Sequence, residues 1–434
     1  MRKVWLLLIF LGLLILLVVG QASAAAPQVD VLRVKGTINP VVAGYIDRGI
    51  GVAEEHGATA CIIELDTPGG LDSSMRDIVQ RIMESDVPVV VYVPSGGRAA
   101  SAGAFITLAA HVAAMAPATE IGAAHPVAIG DSMDETMEQK VVNDAVAYIR
   151  SIAETRGRNA DWAEAAVRES RSSPASEALE LGVIDMMADN MDSLLAQLDG
   201  WQVTLQTGEV VTLNTTDATV NHIGMATMER FLFTISDPNI AYILLSIGML
   251  GIMLELFNPG TIVPGVVGAI CLLLSFYALG MLPVNYAGII LILIAFGLFV
   301  AEIFVTSHGL LALGGIASLT MGSLILMSNP LFQIHPGVIA VVVIAVAAFF
   351  IFVIAAIVRT HRRPQQTGPE AMVGSVAIAR TPLDPTGTVF VHGERWEATL
   401  EEGKAEIGEE VVITEVDGLK LRVTRKKKEG GKEK

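Results

Sequence analysis

The sequence predicts three structural classes in series. First comes an exported α/β domain with a mainly parallel sheet, then an all-α transmembrane bundle, then a small all-β barrel of the OB type. Three observations carry this. Short apolar runs alternate with helix-patterned stretches from residue 28 to about 236, which is the signature of βαβ units. From 240 to 358 there is no Lys or Arg, and Glu255 and Glu302 are the only acidic residues. After 366, about five short β runs return between Gly, Pro and Asp turns. Composition agrees: the 434 residues are 52% hydrophobic and 17% charged, too apolar for an ordinary soluble enzyme. A formal net charge of −16 argues against nucleic acid as a partner.

The elements follow in order. MRKVWLLLIFLGLLILLVVGQASAAAP has a basic start, a long apolar run and a small-residue end, so 1–24 reads as a signal peptide with ASA at 22–24 as its cleavage site. An uncleaved anchor is the alternative, and either way the segment that follows is exported. In 28–236, VDVLRVKG, ACIIELD and VPVVVYVP read as buried strands. Helices are expected at 41–56, at 71–84, after Ser101, and at about 138–154. The last carries Val142, Ala145, Val146, Ile149 and Ile152 at helical spacing.

Five spans are expected in 237–358, at about 240–257, 262–282, 287–305, 310–327 and 338–358. The first and fourth are short, so one could be re-entrant. RTHRR at 359–363 follows the last span and marks a cytoplasmic end, which five spans from an exported domain also require. Glu255 and Glu302 lie near span ends, either at the interface or as intramembrane carboxylates facing protein. The barrel region, 366–424, is acidic and reads as a protein-docking module; Phe390 and Trp396 suit core or binding platform equally. A basic tail, 425–434, closes the chain. Cys61 and Cys271 read as two buried free thiols, not a disulfide.

Small residues crowd Ser101 in SGGRAASAGAF, and only small side chains leave room for a close backbone approach. Ser101 opens a helix, whose N-terminus favours developing negative charge. DTPGG at 66–70 follows a strand and can expose amide N–H groups. Together these would make an acyl-transfer site: Ser101 as nucleophile, the N–H groups of Gly70 and Ala102 as oxyanion hole, and Lys140 as base. A lysine in water is a poor base, since only roughly one in a few thousand is neutral at pH 7. The reading therefore demands a largely dry Lys140 ammonium. Residue types alone leave it open: helix lysines are more often solvated, and serines in Gly/Ala-rich stretches more often serve tight packing.

DTPGG, RAASAGAFI, ATEIGAAHPV, QKVVNDAVAYIRSIAETRGRN and SEALELGVID come in the order and spacing of the N-terminal domain of NfeD-family membrane serine proteases. The spans and barrel resemble the long form of that family, so the likeness covers nearly the whole chain. It implies a Clp-protease-like (crotonase-like) fold that forms homo-oligomers. It also assigns the nucleophile to Ser101, the base to Lys140 and part of the oxyanion hole to Gly70. Cleavage would fall in apolar segments of proteins, with stomatin-like or flotillin-like membrane proteins as partners, at a multi-pass site in the cell membrane. The protease domain would be extracytoplasmic and the barrel cytoplasmic. His125 lies near where Clp proteases carry their histidine, which makes it an alternative base, although the third member of that triad falls near Ser170. No metal-ligand spacing or phosphate loop is present, so neither metal nor other cofactor is expected. The competing readings are a non-catalytic membrane-microdomain scaffold and a crotonase-type acyl-CoA enzyme.

Overall fold

A computed structural model describes residues 27–127, 134–305, 307, 309–327, 329, 332–361 and 369–426. The leader expected at 1–24 and nearly all of the basic tail lie outside them. The chain forms two compact units, Met1–Ala347 and Ala348–Lys434.

The first unit opens with β1 (Gln28–Lys35), α1 (Pro40–His56), β2 (Ala60–Asp66), α2 (Asp72–Met83) and β3 (Val89–Val93). Then come β4 (Arg98–Ala100), α3 (Ala102–Ala109), β5 (Val112–Met115) and β6 (Glu120–Gly122). α4 (Glu135–Thr155), α5 (Ala160–Arg168), β7 (Ser172–Pro174), α6 (Ala175–Glu180), β8 (Met186–Met187) and α7 (Met191–Leu198) follow. The hairpin β9 (Gln202–Thr204) and β10 (Val210–Thr212) precedes β11 (Thr219–Ile223). Six strands form one sheet in the order β11-β1-β2-β3-β5-β8, every neighbour parallel. Period-two alternation splits each strand between two cores. Cys61, Ile63 and Leu65 face the helices around α3, while Ala60 and Ile62 face the α7 side. Local chemistry sets the helix ends. Asn39 accepts the Val42 N–H (3.0 Å) ahead of Pro40, and Gly57 at φ 62° closes α1. A separate sheet, β4-β6-β7, stands beside the main one.

Beneath α3 lies a cluster that single-sequence reasoning missed. Arg158 donates to the Leu108 and Ala110 carbonyls (2.7 and 2.8 Å), and Arg156 donates to Ala109 (2.8 Å). Two cations thus satisfy the orphan carbonyls at the C-terminal end of α3 and complement its dipole. Asp185 pairs with Arg158 and accepts the Ala113 N–H (2.7 Å). His111 Nδ1 accepts from Val89 N–H (3.1 Å) among them, and burial with the two arginines pushes its pKa down to about 3.

α8 (Thr227–Ile235) leads into the membrane region, which is α9 (Pro238–Phe257), α10 (Val263–Gly280), α11 (Tyr286–Phe304), α12 (Leu310–Ile325) and α13 (Pro336–His361). Among the described residues, α9, α10, α11 and the first part of α13 are long and apolar enough to cross a membrane, whereas α12 has only 16 residues. Of the two spans expected to be short, α9 reaches 20 residues because Asp237 caps it early, accepting the Asn239 N–H (2.9 Å). Two hairpins, α9 with α10 and α11 with α12, pack on small residues. A Cβ at Gly251 would sit 2.6 Å from the Pro264 carbonyl oxygen, and one at Gly288 2.9 Å from that of Gly322. Glu255 accepts from the Thr261 hydroxyl (2.9 Å) and Gly260 N–H (3.2 Å). Glu302 accepts from Ser307 (2.5 Å) and from the Gly309 and Ala312 N–H groups (2.8 and 3.1 Å). Each carboxylate therefore closes its own hairpin turn. Cys61 is buried as expected, but Cys271 is half-buried, because it borders the side of α10 on which Val267 and Ile270 are exposed.

The second unit contains β12 (Val376–Ala379), β13 (Thr386–Val391), β14 (Glu394–Leu400), β15 (Glu410–Asp417) and β16 (Lys420–Arg425). They close into a five-stranded barrel in the order β12-β13-β14-β16-β15, consistent with the expected OB-like class. Val389, Leu400, Ile413 and Leu421 fill it, Trp396 packs against that core, and Arg380 lies over the Phe390 ring (5.1 Å).

His111 yields a test of the α3 anchor. The unfolded imidazole takes a proton below about pH 6.5, but the folded one only near pH 3. Its contribution is therefore fully present above pH 6.5 and is lost progressively as pH falls towards 3. His111→Asn keeps an acceptor for Val89 and should lose less Tm than the parent between pH 7 and 4.5, above most carboxylate titration. Equal losses would show that His111 does not set acid sensitivity.

Candidate active site

The loops after β2 and β3 leave the sheet at the C-terminal ends of its parallel strands, where open α/β sheets bind ligands. After β2, the Thr67 hydroxyl accepts the Gly69 N–H (3.0 Å) and tightens the DTPGG turn. Gly70 then makes a parallel bridge with Ile38, through Ile38 N–H to Gly69 O and Leu71 N–H to Ile38 O, both 2.9 Å. That pattern leaves the Gly70 N–H outside the bridge. The close approach explains the glycine: a Cβ at position 70 would sit 2.0 Å from the Ile38 oxygen.

Ser101 stands at the N-cap of α3 with φ 53° and ψ −115°. A non-glycine residue there stores about 1–3 kcal/mol of strain. The surroundings hold it: its N–H donates to Gly122 O (2.8 Å), and its carbonyl accepts from Ala104 N–H (2.9 Å). Gly122, at φ 132°, has no space for a Cβ, which would lie 2.2 Å from the Arg171 oxygen; one at Gly103 would lie 2.7 Å from Thr67. N-cap serines ordinarily spend the hydroxyl on a first-turn N–H. Ser101 makes no such bond, and Ala102 begins the turn whose N–H groups a helix leaves unpaired.

Ser101, Ala102, Gly70 and Lys140 line one cavity of about 560 Å³. Met75, Phe105, Pro126 and Val127 make its walls largely apolar. Lys140 differs from the expectation of a dry ammonium, because it is exposed in the free chain. The reason is local: the buried stripe of α4 starts only at Ala145, and the first turns, from Glu135 through Lys140, lie exposed. One turn beyond Lys140, Asp144 takes an ion pair from Arg76 (2.6 Å), which also holds Asp72 (2.8 Å). Arg76 caps the Tyr148 ring (4.5 Å), and Tyr148 stacks on Phe105 (6.1 Å). Burial works against the Arg76 charge, but its two carboxylates outweigh that and raise its pKa. This network ties α2 and α3 to α4 and so fixes the helix that carries Lys140.

His125 is not brought to that cavity. Its Nδ1 lies 2.8 Å from the Val167 carbonyl oxygen, a donor's position, while its neighbours Ala124 and Pro126 line the cavity. Glu169 is exposed and Ser170 sits at φ 54°. Asn329 and Phe332 of the α12–α13 connection also line the cavity, and nothing in the sequence pattern pointed to them. Among the described residues no cluster of His, Cys, Asp and Glu could hold a metal.

Compared with known families, the chain matches three profiles in order: NfeD1b N-terminal domain over 28–208, NfeD integral membrane domain over 239–357, and NfeD-like C-terminal, partner-binding domain over 369–425. It is 37% identical over 437 residues to the membrane-bound protease PH1510 of Pyrococcus horikoshii, covering 98% of this chain and 99% of that one. The chain belongs to the NfeD family. Membrane protein NfeD1b of Bacillus subtilis is 29% identical over 447 residues, covering 95% of this chain and 96% of the relative. Among solved structures, a lysine-to-alanine variant of 1510-N membrane-bound stomatin-specific protease, in complex with a substrate peptide, is 39% identical. It covers 49% of this chain and 98% of that one, with a TM-score of 0.46.

The glycine at 70 separates site geometry from helix propensity. Gly70→Ala should lower activity by about 10²–10³-fold, by displacing the turn that presents its N–H, and should reduce Tm. Gly44→Ala, where a Cβ meets nothing within 4 Å, should leave activity unchanged and raise stability by about 0.5–1 kcal/mol. Full activity in Gly70→Ala would remove this turn from the site.

Proposed function

We propose that this chain is a membrane-anchored serine endopeptidase with a Ser101/Lys140 dyad that cleaves apolar segments of membrane-associated proteins. The observation that carries the reading is the sharing of one largely apolar cavity by a strained, uncapped N-cap serine, a lysine, and the residues Gly70 and Ala102. The full-length relationship to an archaeal membrane-bound protease supports the hydrolase class.

In this mechanism Lys140 takes the Ser101 proton as Oγ attacks the scissile carbonyl carbon. The Gly70 and Ala102 N–H groups receive the oxyanion. Lys140 returns the proton to the leaving amine, and water hydrolyses the acyl-enzyme by the same steps. Because Lys140 is exposed in the free chain, the mechanism requires an apolar segment in the groove to strip water from the amine. That requirement selects apolar substrates over soluble polar peptides.

A stomatin- or flotillin-like membrane protein is the proposed partner, in keeping with the partner-binding class of the C-terminal domain. The proposed topology places the α/β domain outside the cytoplasm, five helical segments in the membrane, and the barrel inside. Homo-oligomerisation belongs to the same proposal. Activity without metal or nucleotide is the corresponding expectation.

The test uses purified full-length chain in nanodiscs and a peptide with an apolar core. Ser101→Ala and Lys140→Ala should each lower kcat by at least ~10³-fold, while His125→Asn keeps activity within about threefold. Parent-like cleavage by either dyad variant would refute the assignment.

A further inference from the structure

The cavity around Ser101 is not made by the α/β domain alone. Phe332 and Asn329, from the connection between α12 and α13, line it with Met75 and Phe105. Both are seated: Phe332 is 3% exposed and Asn329 5%. The bundle explains how that connection reaches the site. Asn285 N–H donates to Leu326 O (2.9 Å), which joins the start of α11 to the end of α12. His335 N–H donates to the Asn239 side chain (2.7 Å), which joins the start of α13 to the start of α9. The Ser236 hydroxyl donates to Met281 Sδ (3.5 Å), which adds the end of α10. All these ends gather where α8 delivers the chain from the α/β domain into the bundle.

We infer that Phe332 is a specificity-determining residue of the protease site: the membrane region supplies an apolar wall of the substrate groove, against which an apolar substrate side chain packs. The inference rests on the Ser101/Lys140 reading. Phe332 has most of its ring buried, yet its remaining surface lines the cavity shared with the serine and lysine. An α/β domain cut from its membrane helices therefore lacks one wall of its own groove. It retains the reacting groups, so it should keep its chemistry, and the wall's contribution is read in the full chain.

The experiment uses the full chain in nanodiscs with two peptides that differ by Leu or Ala beside the scissile bond. An apolar pocket discriminates such pairs by about 10–200-fold. Phe332→Ala should raise KM for the Leu peptide by about tenfold or more and collapse the Leu/Ala preference, with kcat within about threefold of the parent. Labelling of Ser101 by a small fluorophosphonate, which needs no groove wall, should proceed at the parental rate. Phe332→Leu, which keeps apolar bulk and guards against misfolding, should restore at least half of the preference. Benzoylphenylalanine in place of Phe332 should crosslink to a bound peptide. Parental KM and preference in Phe332→Ala, or no crosslink from a chain whose serine still labels, would overturn the inference. If the parent's Ser101 never labels and Ser101→Ala cleaves normally, the Ser101/Lys140 reading itself has failed, and this inference falls with it.

Discussion

Ser101 is held at φ 53° because backbones touch around it where no Cβ would fit. Gly122 accepts the Ser101 N–H while pressed on the Arg171 backbone, Gly70 lies against the Ile38 backbone, and Gly103 lies against the Thr67 side-chain methyl. Such contacts are stiff, since a tight backbone interface cannot absorb even one added methyl group without moving. The strain of about 1–3 kcal/mol persists because the surroundings over-determine it. A relaxed N-cap would let the hydroxyl bond its own helix; this one leaves the hydroxyl unspent.

Two supports fix the rest of the frame. Arg156 and Arg158 anchor the far end of α3, so the helix is pinned at both termini. Arg76, held between Asp72 and Asp144 and lying on Tyr148, ties α4 to α2. Lys140 extends one turn past that tie into an exposed part of α4. The arrangement separates a rigid half, with the serine and its N–H donors, from a hydrated half that holds the lysine. In the proposed mechanism an apolar occupant joins the two by excluding water, and the α12–α13 connection completes the groove that receives it.

Much of this was legible in the sequence, for physical reasons. The strands at β2 and β3 are continuous apolar runs because both faces of a parallel sheet are buried. The membrane helices declare themselves by the absence of charge. Gly70, Gly103 and Gly122 stand where only glycine fits, which answers why small residues crowd Ser101. Other features were not legible. Helical spacing placed Val142, Ala145 and Ile149 on one stripe but could not say how far along α4 cover extends, so the exposure of Lys140 came from tertiary structure. Phe332 looked like one more apolar residue beside a span. Arg156, Arg158 and His111 carried no local pattern, because their partners are carbonyls brought close only by folding. Glu255 and Glu302 stand out in an otherwise uncharged stretch, but their role as turn closures depends on N–H directions that sequence does not encode.

The proposed chemistry requires an occupied groove to cover the Lys140 amine beside the serine. An experimental structure of the Ser101→Ala chain with an apolar peptide across the cavity measures this directly. The prediction is a Lys140 Nζ shielded from bulk water, close enough to place it about 2.6–3.2 Å from the missing hydroxyl, with the peptide carbonyl oxygen aimed at the Gly70 and Ala102 N–H groups. A bound peptide with Lys140 still hydrated and turned away from position 101 would contradict the account.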